Sequence, residues 1–171
     1  MTTTQSSDPD GIEERHRELV QVIGEALLGV APEGFLRVDL VVRISVAARD
    51  LTATAYLPDG RSLGLAVPEG LADAFAELRQ LTHVPGRGAW FSARCAVTAP
   101  ASIDVGYNFD HDPRWDPEVP AAHFARDLEA FPRAEAYLPD WLRDRVASAR
   151  DAQSHGAQPH GAQSHDEEQR A

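Results

Sequence analysis

Between Leu36 and Val46 the chain alternates. Leu36, Val38, Leu40, Val42, Ile44 and Val46 fall on one side of an extended backbone, and Arg37, Asp39, Arg43 and Ser45 fall on the other. Successive side chains of a strand point to opposite faces, so this segment has one face to bury and one to wet. That is the pattern of an antiparallel sheet; strands of a parallel sheet are buried on both faces and read as continuous apolar runs. Every other segment has to be compatible with such a sheet.

Four more stretches fit. Leu51 to Leu57 reads as a second strand running into Pro58-Asp59-Gly60, where Pro presets φ and Gly accepts a positive φ. Leu63, Leu65 and Val67 alternate on the returning strand. Phe91, Ala93, Cys95 and Val97 share one side of a fourth strand, Trp90 to Thr98. Ile103, Val105, Tyr107 and Phe109 share one side of a fifth, Ser102 to Asp110, with Asp104, Gly106, Asn108 and Asp110 opposite. The connection Ala99-Pro100-Ala101 suits a hairpin.

Helical spacing appears elsewhere. Asp8-Pro9 supplies a cap and a first-turn proline, followed by Ile12, His16, Leu19, Ile23, Leu27 and Val30 on one stripe. Leu71, Phe75, Leu78 and Leu81 form a second stripe within Glu69 to Leu81. Phe124, Leu128 and Phe131 mark a third helix opening near Pro120, and Trp141, Leu142 and Val146 a fourth starting near Pro139. The predicted fold is α+β: an antiparallel sheet of about five strands with helices packed on one face, in the order α-β-β-β-α-β-β-α-α.

The predicted organisation is a flexible N-terminus over 1–7, one domain over 8–150, and a disordered low-complexity tail over 151–171. Ser154-His155-Gly156-Ala157-Gln158 is nearly repeated in the tail, which has no apolar residue larger than Ala and cannot offset the entropy of ordering it. A single cysteine, Cys95, rules out an intrachain disulfide. The first ten residues lack the basic and apolar runs of a signal or transit peptide, and no apolar stretch is long enough for a bilayer, so the expected location is the cytoplasm.

The chain has 27 acidic and 16 basic residues, a formal charge of −11. Such a surface repels phosphate backbones and anionic lipid, which excludes nucleic acid and membranes as expected partners and favours a basic protein. All the basic residues are arginine, a bias that fits a GC-rich coding sequence. Over half the net charge lies between Asp104 and Asp144, most densely in Asp110-His111-Asp112-Pro113-Arg114-Trp115-Asp116. A tryptophan among carboxylates fits a protein-binding hot spot: the ring supplies area, and the acids steer and pair with arginine or lysine. The candidate partner-binding residues are therefore Asp104, Asp110, His111, Asp112, Arg114, Trp115, Asp116 and Glu118. The opposing possibility is that Trp115 folds back to cap the core.

Catalytic and metal signatures are missing. The loop has no calcium-loop spacing, the chain has no Cys/His zinc spacing, and neither a nucleophile elbow nor a phosphate-binding glycine loop occurs. Cys95 alternates with core-facing residues and reads as a buried thiol, and His16 reads as a packing residue. No cofactor and no catalytic residue is expected.

Trp90-Phe91-Ser92-Ala93, Val105-Gly106-Tyr107-Asn108-Phe109-Asp110, Phe124, Asp127-Leu128, Phe131-Pro132-Arg133 and Pro139-Asp140-Trp141-Leu142 together resemble the YezG-like immunity family, antitoxins of bacterial polymorphic toxin systems. The "Phe-Pro-Arg … Pro-x-Trp-Leu" ending is similar to that of its actinobacterial branch. The resemblance covers 89–142 in recognisable residues and about 10–146 in arrangement. It implies a non-enzymatic protein that binds and occludes a cognate toxin, often a nuclease. Two other classes stay open: a regulatory domain binding some other protein, and a small metal-dependent hydrolase built on the acidic loop.

Overall fold

A computed structural model describes the backbone of residues 9–156 and the side chains of residues 9–150. The elements follow the expected order: α1 (Pro9–Val30), β1 (Arg37–Ile44), β2 (Arg49–Tyr56), β3 (Ser62–Leu65), α2 (Leu71–Leu81), β4 (Ser92–Thr98), β5 (Ser102–Asn108), α3 (Ala121–Ala130), a 3-10 turn at Glu135–Tyr137, and α4 (Asp140–Gly156). All strands pair antiparallel in one five-stranded sheet, order β3-β2-β1-β4-β5. The N-terminal segment 1–7 and residues 157–171 of the predicted tail lie outside the described residues, whereas the backbone of 151–156, predicted to be disordered, continues α4.

Alternation fixes which face is buried. The rows Val38–Ala55–Val97, Leu40–Ala53–Cys95 and Val42–Ala93 all point to the side covered by α1 and α2. Leu19, Ile23 and Leu27 of α1 and Leu71, Phe75 and Leu78 of α2 complete this core. A bidentate pair between Arg15 and Glu77, with one arm at 2.6 Å, ties the two helices together at the surface. Gly24 lets α1 lie against β5, because a Cβ there would sit 2.0 Å from Ile103 Cδ1.

Strand ends differ from the sequence reading for local reasons. Leu36 and Val46, expected on the buried side, are 51% and 48% exposed. The ladder stops at Ile44 because Ser45 turns the chain: its Oγ accepts the N–H groups of Ala47 and Ala48. Phe91, expected beside Ala93, Cys95 and Val97, leaves their cluster. Pairing of β4 starts only at Ser92, so Trp90 enters the first core and Phe91 a second one.

That second core comprises Phe91, Phe124, Leu142 and Val146, with Trp115, Val119, Leu128 and Trp141 packed against it. It joins α3 and α4 to the end of the sheet where β1 and β5 finish and β4 begins. Two arginines secure the joint. Arg79 of α2 donates to Trp90 O at 2.7 Å and to Asp127 Oδ2 of α3 at 2.6 Å, and Asp127 Oδ1 accepts the Val46 N–H at 3.0 Å. Arg133 donates to the carbonyls of Ala89, Phe109 and Tyr137, and its guanidinium lies 4.2 Å from the centre of the Phe91 ring. Burial pulls the Arg133 pKa down to about 10, so it stays charged at neutral pH.

The opposite face of the sheet carries Arg37, Asp39, Val41, Arg43, Thr52, Thr54, Arg94, Ala96, Asp104 and Gly106, and Thr52, Arg94, Asp104 and Gly106 are exposed. Helices cover none of it among the described residues. Asp39 is buried there only because Arg37 and Arg94 close over its carboxylate, which in turn raises the Arg94 pKa.

Candidate partner-binding face

The eight residues singled out from the sequence lie on β5 and the loop that follows it. Asn108 organises the loop entry as an Asx turn: its Oδ1 accepts the N–H of Asp110 at 3.2 Å and of His111 at 2.8 Å. Its amide nitrogen donates to Ser92 Oγ and to His111 O, binding the turn back to β4. Further along, Arg43 Nε on the uncovered sheet face donates to Pro113 O at 2.8 Å. Asp112 Oδ1 accepts the Arg114 N–H at 2.8 Å, which supports Arg114 at φ 51°. Side chains other than glycine rarely adopt that left-handed backbone, so the loop conformation depends on these anchors.

The anchors put the loop at one end of the uncovered sheet face. Asp104, exposed on that same face opposite Ala96, lies on the same side of the molecule. His111, Arg114 and Asp116 are exposed, and Asp112 is half-buried.

Trp115 does not stand out into water. It is half-buried against the second core and helps line a cavity of about 120 Å³ with Asp112, Arg114, Glu118, Val119, Phe124 and Arg145. The free aromatic anchor expected from the sequence is thereby corrected: Val119, Phe124 and neighbouring side chains offer the ring more burial than solvent does. Several of the acids are neutralised within the chain. Asp110 pairs with Arg87 at 2.9 Å, and Glu118 pairs with Arg145 at 2.8 Å. Asp112 reaches the same arginine at 4.0 Å. Arg145 holds Glu118 below the usual carboxylate range. Asp104 and Asp116 make no ion pair among the described residues.

Local sequence carried no signal for Arg43, Arg87 or Arg145, since all three reach the loop from distant segments. The Asx turn at Asn108, by contrast, has a local signal, since an asparagine at the end of a strand favours such a turn. Sequence reasoning also missed a groove of about 600 Å³ between α1 and the end of α2, lined by Ile12, His16, Val20, Leu81, His83 and Val84 among others. His16 Nε2 lies 2.9 Å from Tyr107 Oη, in the packing role read for it. Among the described residues, no group of three or more His, Cys, Asp or Glu is placed to hold a metal ion, and no helix is long and apolar enough to cross a membrane.

Compared with known proteins, the chain matches no family model and no curated sequence. The likeness to the immunity family therefore rests on the residues quoted for it. Those residues are largely structural here. Phe91, Phe124, Asp127, Arg133, Trp141 and Leu142 build or fasten the joint between sheet and C-terminal helices, and Trp90 fills the first core with its carbonyl bonded to Arg79.

Proposed function

We propose that this protein is an immunity protein, which binds a cognate toxin with a basic active site and blocks it by occlusion, without catalysis of its own. The observation that carries the reading is the acidic loop held on a fixed frame beside an uncovered sheet face. Asn108, Arg43 and Arg133 fasten the segment around Asp110–Glu118 to the sheet, so its carboxylates need little further ordering on binding. The unpaired Asp104 and Asp116 are the first to meet a cation. Asp110 and Glu118 follow, because exposed, solvent-screened ion pairs such as theirs contribute little and exchange readily for a partner arginine. Opposite potentials then speed encounter and make it salt-dependent.

The test uses the full chain and the C-terminal domain of the polypeptide encoded by the adjoining gene. The two should co-purify and the complex should abolish that domain's toxicity. Changing Asp104→Asn, Asp116→Asn and Glu118→Gln together should weaken binding about tenfold, mainly through the association rate, and flatten its salt dependence. Unchanged affinity and salt dependence would remove this face from the interaction, and absence of any complex would remove the function.

A further inference from the structure

The outer edge of β5 is an open hydrogen-bonding edge, and we propose that it takes an extended strand of the toxin that carries a basic residue opposite Asp104. This rests on the immunity reading and assigns it a binding mode.

The pairing pattern identifies the free groups. Leu36 O accepts from Ala99 N and Phe91 O accepts from Ile44 N, so the odd-numbered residues of β4 bond to β1. Backbone bonds of an antiparallel strand alternate between its two neighbours. The even-numbered residues of β4 therefore bond to β5, through Ser92–Asn108, Arg94–Gly106, Ala96–Asp104 and Thr98–Ser102. That leaves the N–H and C=O groups of Ile103, Val105 and Tyr107 pointing away from the sheet. Among the described residues, no segment except β4 hydrogen-bonds the backbone of 102–107.

Edge strands of soluble proteins are usually protected by lysine, proline, a bulge or shortness. β5 has seven residues, contains neither lysine nor proline, and pairs in unbroken register. Its side chains give the partner a chemistry. Asp104 is the only charged residue of the strand, and the guanidinium of Arg94, which stands opposite Gly106, is turned to Asp39. Gly106 has no internal reason to be glycine. A Cβ there would meet nothing within 4 Å, and its φ is not left-handed. A glycine inside a strand commonly marks close approach of another backbone or ligand. On the other face Ile103, Val105 and Tyr107 are half-buried, so an added strand would continue an apolar row there. Strand addition of this kind takes affinity from main-chain bonds and specificity from alternate side chains. It also brings the partner directly to the loop that follows β5. A second copy of this chain is a poorer occupant, because antiparallel self-pairing centred on Val105 would bring two Asp104 carboxylates close together.

Residue-resolved amide exchange of the full chain, free and bound to the adjoining-gene toxin domain, tests the assignment. In the free protein the amides of Ile103, Val105 and Tyr107 should exchange fast and those of Asp104 and Gly106 slowly. In the complex the three fast amides should slow at least about tenfold, and Asp104→Arg should weaken binding by a similar factor while Asp104→Glu should not. A complex that forms while those three amides stay fast overturns strand addition and leaves the immunity reading standing. Failure to form any complex overturns both.

Discussion

Replacing Asp127 with alanine should cost this protein a large part of its stability. The Arg79 and Asp127 side chains are only 3% and 6% exposed. The substitution strands the guanidinium without a counter-charge and the Val46 N–H without its acceptor. Removing one member of a buried ion pair costs about 3–5 kcal/mol, against about 5–15 kcal/mol for a whole domain. Taking about 4 kcal/mol and a urea m-value of about 2 kcal/mol/M, the unfolding midpoint should fall by about 2 M. The decisive comparison is the double variant Arg79→Met with Asp127→Leu. Replacing both charges with apolar groups of similar size removes the stranded cation, so the double variant should unfold above Asp127→Ala. Urea titrations followed by circular dichroism and tryptophan fluorescence measure both. A midpoint shift under about 0.5 M for Asp127→Ala, or single-site losses that simply add in the double variant, would refute the claim that this pair joins α3 to the sheet.

Gly24→Ala should destabilise despite alanine's better helix propensity of about 1 kcal/mol, because overpacking against Ile103 costs about 1–3 kcal/mol; adding Ile103→Ala should recover part of the loss, and thermal melts of the three proteins check it. Burial pushes the Cys95 thiol up to about 11 and the Tyr107 hydroxyl up to about 12. Both groups keep their protons to higher pH when folded than when unfolded, so their contribution is full below about pH 9 and falls as pH rises towards 12. Urea midpoints should decline across that window, and the phenolate absorbance of Tyr107 should appear only near its upper end. At pH 8 iodoacetamide should label Cys95 only as fast as the domain opens; rapid labelling of the native protein would contradict its burial.

The fold was legible because its determinants are local and periodic. Val38, Leu40 and Val42 mark a strand with one buried face, Pro58-Asp59-Gly60 marks the hairpin between β2 and β3, and Gly60 indeed has φ 84°. Non-local competition decided what the sequence did not reveal. Ser45 ended β1 by bonding to the turn after it, and Phe91 changed sides because Trp90 filled the first core. The same holds for the loop: its acids were visible in the sequence, whereas the arginines that pair with them come from residues 87 and 145. Spacing along a chain carries no information on which distant cation arrives. Trp115 is the clearest case, since an aromatic among carboxylates looks equally like a hot spot and like a lid on the core until Val119 and Phe124 are placed beside it.

The division of labour within the C-terminal half bears on how far a resemblance in this region reaches. Phe91, Phe124, Trp141 and Arg133 are tied to one another by packing and by bonds to backbone carbonyls, so a change in one strands the others. Asp104, Arg114 and Asp116 have no such obligations beyond the loop's own anchors and their side chains face solvent, as does the bare Cα of Gly106. On the immunity reading proposed above, the second set is free to change with the partner while the first set stays fixed. The "Phe-Pro-Arg … Trp-Leu" residues therefore answer to the joint between sheet and helices, whereas the partner choice proposed above would fall to side chains with few folding contacts. On the proposed reading those are Asp104 and Asp116, beyond the reach of Arg87 and Arg145, together with the open edge of β5.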